Sequence, residues 1–233
     1  MKLYELAWGL YPRRISIYLA EKGIDSIERI AFDALKEWPP KEVGKMSPMG
    51  TLPILQTENG VLIRSSVAIL EYLEERFPSP NMLGASAEER ARTRELVGLW
   101  EEATIQFNVW TRHASQIFAR VGDQSLEAAQ VAADAYYRRL KFVDALIGET
   151  SGPFMVGENV TIADCIGVAS LQFAQNCYSA PIGDECPTLS EWYRNFSLRP
   201  SAATPDYPAP YLALSQGLLS SCAPSQMKTA AKA

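Results

Sequence analysis

The sequence predicts an α/β domain followed by an all-α domain. Two observations carry this. Over residues 1–77, short apolar strand-like runs alternate with helix-period segments, whereas residues 87–198 read as helices only. Between the two lies Phe77-Pro78-Ser79-Pro80-Asn81, a stretch stiffened by prolines. A chain of 233 residues suits one or two domains, and its 47% hydrophobic and 21% charged content is ordinary for a globular protein.

Residues 2–8 alternate loosely as a short strand. Pro12 suits the first position of a helix, and Ile15, Leu19 and Lys22 carry that helix to a stop at Gly23. Residues 27–32 read as a second strand, giving β-α-β with a parallel pair. The polar stretch with Trp38, Pro39 and Pro40 reads as loop and short helix. Residues 52–56 and 61–64 are two short strands joined by Thr57-Glu58-Asn59-Gly60, where Asn-Gly marks a tight hairpin. Ile69, Leu70, Tyr72 and Leu73 carry a helix from Ser66 to Arg76, closed off by Pro78. The order β-α-β-α-β-β-α is that of the thioredoxin-like fold.

Residues 1–77 are therefore read as a thioredoxin-like domain, 78–86 as a linker and 87–203 as a helical bundle domain. In the bundle, 88–119 is expected as one long helix and 126–147 as another. Thr161 and Asp164 form a capping box, with Val160 and Cys165 at the staple positions around it; this pattern starts a buried helix. Residues 204–233 read as a Pro/Ala/Ser-rich tail packing back over the bundle, its very end disordered.

A net charge of −5 and a pI near 5.1 argue against a nucleic-acid or anionic-membrane surface. Met1-Lys2-Leu3-Tyr4-Glu5-Leu6 does not read as a signal peptide, and no stretch approaches the roughly 18 apolar residues of a membrane helix. A cytoplasmic protein is expected. Cys165, Cys177, Cys186 and Cys222 all lie in the second half and are expected reduced and buried. Residues 1–164 hold no cysteine, which excludes thiol–disulfide exchange in the first strand–helix turn. One histidine and four dispersed cysteines make no metal-coordinating set.

Leu52-Pro53 sits inside Gly50-Thr51-Leu52-Pro53-Ile54-Leu55. Proline lacks an N–H, so a proline here is either a strand-edge residue or marks a bond turned cis. Together with Pro12-Arg13-Arg14-Ile15, Leu19 to Ile24, Ser66-Val67-Ala68-Ile69, Glu71-Tyr72-Leu73 and Thr161-Ile162-Ala163-Asp164, this segment resembles cytosolic glutathione transferases over about residues 1–203. The resemblance extends to the ending Trp192-Tyr193 and Arg199-Pro200-Ser201. It implies a cis Leu52-Pro53 bond, with the Leu52 backbone pairing with the cysteinyl part of glutathione like one more strand. Ser66, with Ser65 before it, would meet the γ-glutamyl carboxylate at a helix N-terminus. Lys41 and Lys45 are candidates for the glycyl carboxylate. A homodimer is also implied.

The chain departs from that family in two places. Ser65 stands where an acid or glutamine is usual, so a carboxylate for the γ-glutamyl ammonium is missing. Gly9 stands where a thiol-activating Ser, Cys or Tyr is usual. The chain thus also resembles an atypical fungal and bacterial class that shares the Pro-Arg-Arg and Ala-Glu-Lys-Gly-Ile patterns and lacks that residue. In that class a water held by the helical domain serves instead. His113, with Ser115 and Asn108 near it in sequence, is the candidate for this role, and Tyr11 is the alternative donor. Trp8, Phe107, Trp110 and Phe118 are candidates for an apolar pocket taking a small hydrophobic electrophile.

Three functions remain open on the sequence. The first adds glutathione thiolate to an electrophilic carbon, in detoxification or in tailoring a secondary metabolite. The second uses glutathione only as a cofactor, in an isomerase or lyase. The third is a non-catalytic binding protein that keeps the fold.

Overall fold

The structure, a computed structural model, describes residues 1–37 and 40–230. Its first part is a four-stranded sheet with helices: β1 (Lys2–Glu5), α1 (Leu10–Lys22), β2 (Glu28–Ala31), α2 (Lys41–Met46), β3 (Ile54–Gln56), β4 (Leu62–Ile63) and α3 (Ser66–Arg76). The strand order is β2-β1-β3-β4; β1 and β2 are parallel, while β3 is antiparallel to both β1 and β4. This is the expected thioredoxin-like arrangement. Tyr4 stands opposite Ile54, which fixes the register beside Pro53. The strands are shorter than expected, because β3 begins only after Pro53 and Leu52.

Local chemistry accounts for the element ends. Gly23 closes α1 at φ 69°, and Gly60 turns the hairpin at φ 79°; both need the left-handed region that glycine enters freely. Pro12 is the third residue of α1, which starts at Leu10, and so does not occupy the expected first position. It is tolerated there because the first four N–H groups of a helix have no partner within it.

The second part is helical: α4 (Ala87–Ala114), a 3-10 turn at Gln116–Phe118, α5 (Leu126–Gly148), α6 (Ile162–Tyr178), α7 (Pro187–Phe196) and a 3-10 turn at Pro200–Ala202. The long helix expected over 88–119 ends at Ala114, because Ser115 is extended and caps the 3-10 turn through Ile117 N–H. At the start of α6, Asp164 accepts from Met155 N, Thr161 N, Thr161 Oγ1 and Trp192 Nε1 at 2.8–3.0 Å. Burial pushes its carboxyl up, and these four donors pull against that shift.

The tail folds. Residues Ala209–Ser215 (α8), Leu218–Ser221 (α9) and Ser225–Ala230 (α10) are helical, and residues 231–233, the expected disordered end, lie outside the described residues. Tyr211 of α8 packs on Trp8 with ring centroids 4.6 Å apart, and Trp110 Nε1 donates to Cys222 O at 3.0 Å.

Side chains of α1 bind the two parts together. Arg199 holds Glu21 through two hydrogen bonds of 2.7 and 2.8 Å. Arg13 Nε donates to Gln172 Oε1 at 2.9 Å. Within the first part, Lys22 Nζ stands 2.8 Å from buried Glu74 and ties α1 to α3.

Candidate functional site

The faces of α1, α3 and α4 that meet here leave a cavity of about 740 Å³ between sheet and bundle. One wall is the segment before β3. Leu52-Pro53 is cis, and both residues line the cavity. Among the described residues, no hydrogen bond takes the Leu52 N–H or C=O. A paired strand normally consumes such groups, so an extended peptide could pair with this one.

The next wall is the start of α3. Ser65 is its N-cap, in extended conformation and making no side-chain cap bond; Ser66 is the first helical residue. Both line the cavity, so the open N–H groups of the first turn stand at its edge. Ser66 Oγ accepts from Arg14 Nη1 at 3.2 Å.

Arg14 is fully buried. It donates through Nη1 to Glu101 Oε1 and through Nη2 to Thr104 Oγ1 at 3.0 Å, while Nε is buried without a partner. Glu101, Asn108 and Thr111 of α4 line the cavity at helical spacing. Asn108 Nδ2 donates to Tyr11 Oη at 2.9 Å, and the Arg14 guanidinium lies 4.7 Å from the centre of the Tyr11 ring.

The far side is apolar and aromatic. Trp8, Phe118, Phe173, Tyr178 and Tyr211 line it, and the Tyr178 and Tyr211 oxygens lie 2.6 Å apart. Burial pushes both phenols well above their ordinary range, so they stay protonated at neutral pH and cannot serve as bases. Burial likewise raises the Cys165 and Cys177 thiols, and lifts Cys186 to about 11. A nucleophilic thiolate from this chain is therefore absent among these three.

Of the residues singled out from the sequence, the structure brings Trp8, Gly9, Tyr11, Leu52, Pro53, Ser65, Ser66, Asn108 and Phe118 to this cavity and leaves Lys41, Lys45, Phe107, Trp110, His113 and Ser115 outside its lining. Lys41 and Lys45 are exposed on α2 away from the lining, and Lys41 faces Glu37 at 3.6 Å. The cation at the wall is instead Arg64, whose Nε donates to Met46 O at 2.6 Å. Phe107 and Trp110 are buried in an aromatic cluster with Tyr136, their centroids 5.2 and 6.0 Å from its ring. They are core residues. His113 Nδ1 accepts from Ser125 N at 3.1 Å and so holds the start of α5. Ser115 Oγ donates to Leu214 O at 3.3 Å, tying down the tail.

Sequence reasoning missed Arg64, Glu101, Phe173, Tyr178 and Tyr211. Arg64 had a signal in its place beside Ser65. Glu101 had a weak one, seven residues before Asn108 and so on the same helix face.

Gly9 is the N-cap of α1, its N–H donating to Leu6 O at 2.8 Å. It borders the cavity with no side chain to offer.

Residues 8–76 match the family model for the glutathione S-transferase N-terminal domain, and residues 111–204 match the model for the C-terminal domain. The chain belongs to the glutathione S-transferase family. Glutathione S-transferase 2 of Saccharomyces cerevisiae is 27% identical over 206 residues, covering 86% of this chain and 87% of that protein. Maleylacetoacetate isomerase of Rattus norvegicus is 30% identical over 155 residues, 65% of this chain and 67% of the isomerase. The crystal structure of Gtt2 from Saccharomyces cerevisiae superposes with a TM-score of 0.77 at 26% identity, covering 87% of this chain and 98% of Gtt2.

Proposed function

We propose that this transferase-family chain binds glutathione in the cleft and adds its thiolate to a hydrophobic electrophile held against the aromatic wall. The observation that carries the reading is the uncommitted Leu52 backbone facing the same cavity as the open first turn of α3. The tripeptide's cysteinyl group would pair with Leu52, one carboxylate would meet the α3 N-terminus, and Arg64 is the cation available to the other.

Tyr11 is the donor that this geometry favours for the thiolate. Its oxygen already accepts from Asn108, which leaves its own proton free to donate into the cleft. A hydrogen bond to a charged acceptor is worth about 1.5–3 kcal/mol, equivalent to about 1–2 pKa units on the thiol. Tyr11 thus takes the place left by Gly9. With a chloronitrobenzene as electrophile, a C–S bond forms, chloride leaves with the C–Cl electron pair, and the thiol proton passes to solvent.

Retention on immobilised glutathione followed by turnover of a chloronitrobenzene tests the reading; retention without any turnover would reduce the chain to a binding protein. The similarity to the rat isomerase supports a second reading, in which glutathione adds and leaves again unchanged. Thiol titration separates the two, since a transferase consumes thiol and an isomerase does not. A homodimer belongs to the proposal as well, supported by exposed Ile105 and Val109 one turn apart on α4, and light scattering checks it.

A further inference from the structure

Tyr178 of α6 and Tyr211 of α8 set their oxygens 2.6 Å apart at the aromatic end of the cavity. A phenol has one proton to donate and lone pairs to accept with. A bond between two phenols therefore uses one proton and leaves the other. Among the described residues, neither oxygen has another hydrogen-bond partner. Tyr178 is 1% exposed, whereas Tyr211 is half-buried. A spare proton on the deeper phenol would be a stranded buried donor, so Tyr178 donates and Tyr211 keeps its proton for the cavity. Accepting from Tyr178 makes Tyr211 a stronger donor in turn.

Packing fixes both rings. Tyr178 meets Phe107 and Phe173 with centroids 5.3 and 5.5 Å apart. The helix carrying Tyr211 is pinned at its end, where Ser115 Oγ donates to Leu214 O at 3.3 Å and Ser215 Oγ donates to Cys177 O. The Tyr211 ring also lies against Trp8, the residue before Gly9 at the cavity edge. Burial keeps both phenols protonated at neutral pH, so the pair donates and does not take up a proton.

We infer that Tyr211, supported by Tyr178, hydrogen-bonds an oxygen of the electrophile that gains negative charge as the C–S bond forms. This assignment rests on the transferase reading and gives it a substrate class: electrophiles whose reacting carbon is conjugated to an acceptor oxygen, such as α,β-unsaturated ketones. The thiolate sulfur bonds the β-carbon, and the C=C electron pair moves toward the carbonyl to give an enolate whose oxygen accepts from Tyr211. Solvent then returns to the α-carbon the proton that the thiol lost, and nothing leaves. An alkyl halide puts its new charge on the departing halide and offers no such oxygen. Tyr211 is thus the catalytic residue of the pair and Tyr178 a positioning residue.

The test is steady-state kinetics of the intact protein with glutathione and two electrophiles: 4-phenylbut-3-en-2-one, an unsaturated ketone, and benzyl chloride, which has no oxygen. Each kcat/KM is divided by the uncatalysed rate constant of the same electrophile with glutathione thiolate. Wild type is expected to enhance the ketone reaction about 10–100-fold more, the worth of one hydrogen bond to a charged oxygen. Tyr211→Phe, which keeps the ring, is expected to bring the two enhancements within about threefold of each other, and Tyr178→Phe to lower their ratio by about threefold. A merely structural role in seating the tail would depress both reactions alike; a wild-type ratio retained by Tyr211→Phe overturns the assignment. Equal enhancement of the two reactions by wild type also overturns it, and that comparison stands even if neither variant folds. Turnover of neither electrophile by wild type overturns the transferase reading itself.

Discussion

Asn108 Nδ2 donates to Tyr11 Oη at 2.9 Å, joining the first turn of α1 to the C-terminal part of α4 across the open cleft. The bond sets the direction of the Tyr11 proton. Tyr11→Phe removes the proposed thiolate donor and keeps the ring. It is expected to raise the pKa of bound glutathione by about 1–2 units and to lower kcat/KM by roughly 10–100-fold. Asn108→Ala leaves the donor and frees its rotation, so a loss of about threefold to tenfold is expected. Ultraviolet absorption of the bound thiolate against pH reads both, and an unchanged thiol pKa in Tyr11→Phe removes Tyr11 from the mechanism.

Gly9 gives a complementary prediction. Its φ of −69° suits any residue, and an added Cβ would meet Leu6 O at 3.2 Å, tight enough to need a small backbone shift. Gly9→Ser is expected to fold with a cost of about 1 kcal/mol. It should place a hydroxyl at the cavity edge and lower the bound thiol pKa further. In Tyr11→Phe the same serine should restore part of the lost activity, which steady-state kinetics of the double variant measures.

The aromatic residues separate into core and wall. Phe107 packs between Tyr136 and Tyr178, so Phe107→Ala is expected to cost about 3–5 kcal/mol of stability. Tyr211 lines the cavity and meets Trp8, so Tyr211→Ala is expected to raise KM for an aromatic electrophile severalfold while leaving KM for glutathione near wild type. Denaturant titration and two-substrate kinetics together decide this; a selective electrophile defect in a folded Phe107→Ala would contradict the division.

That division also shows what sequence patterning can and cannot convey. The helix Ser66–Arg76 was legible to the residue, because Ser65, Ser66 and Pro78 are local signals acting on their own neighbours. The start of α6 was legible for the same reason, since Thr161 and Asp164 satisfy each other within one turn. Phe107 and Trp110 were misplaced because periodicity shows which residues share a buried face and does not reveal whether that face meets another helix or a cavity. Phe173, Tyr178 and Tyr211 become wall only because the tail folds back, and the pairings that fold it, such as Ser115 with Leu214, are long-range. Glu101 reads as an ordinary surface acid until α1 brings Arg14 beneath it. His113 reads as chemistry because histidine titrates near neutrality, but its ring is engaged with Ser125 N–H.

The junction between α1 and the bundle carries a pH signature. Burial pushes the Glu21 carboxyl up, but hydrogen bonds from Arg199 and Ser201 and the Arg199 charge outweigh it and hold the group below its ordinary 4.5. The folded state therefore binds this proton more weakly than the unfolded chain does. The resulting stabilisation is complete above the unfolded value and is lost as pH falls through the lower folded one. Wild type should accordingly exceed Glu21→Gln in stability at pH 7, with the gap closing progressively as pH drops below about 4.5. Urea midpoints for both proteins across that range measure the gap. Because Glu21 lies on α1 and Arg199 follows α7, the same loss should loosen the seating of α1, and with it Tyr11 and Arg14, against the bundle. Bound-thiol pKa in Glu21→Gln is thus expected to rise slightly at neutral pH, while an unchanged value together with a lowered urea midpoint would confine the pair to stability alone.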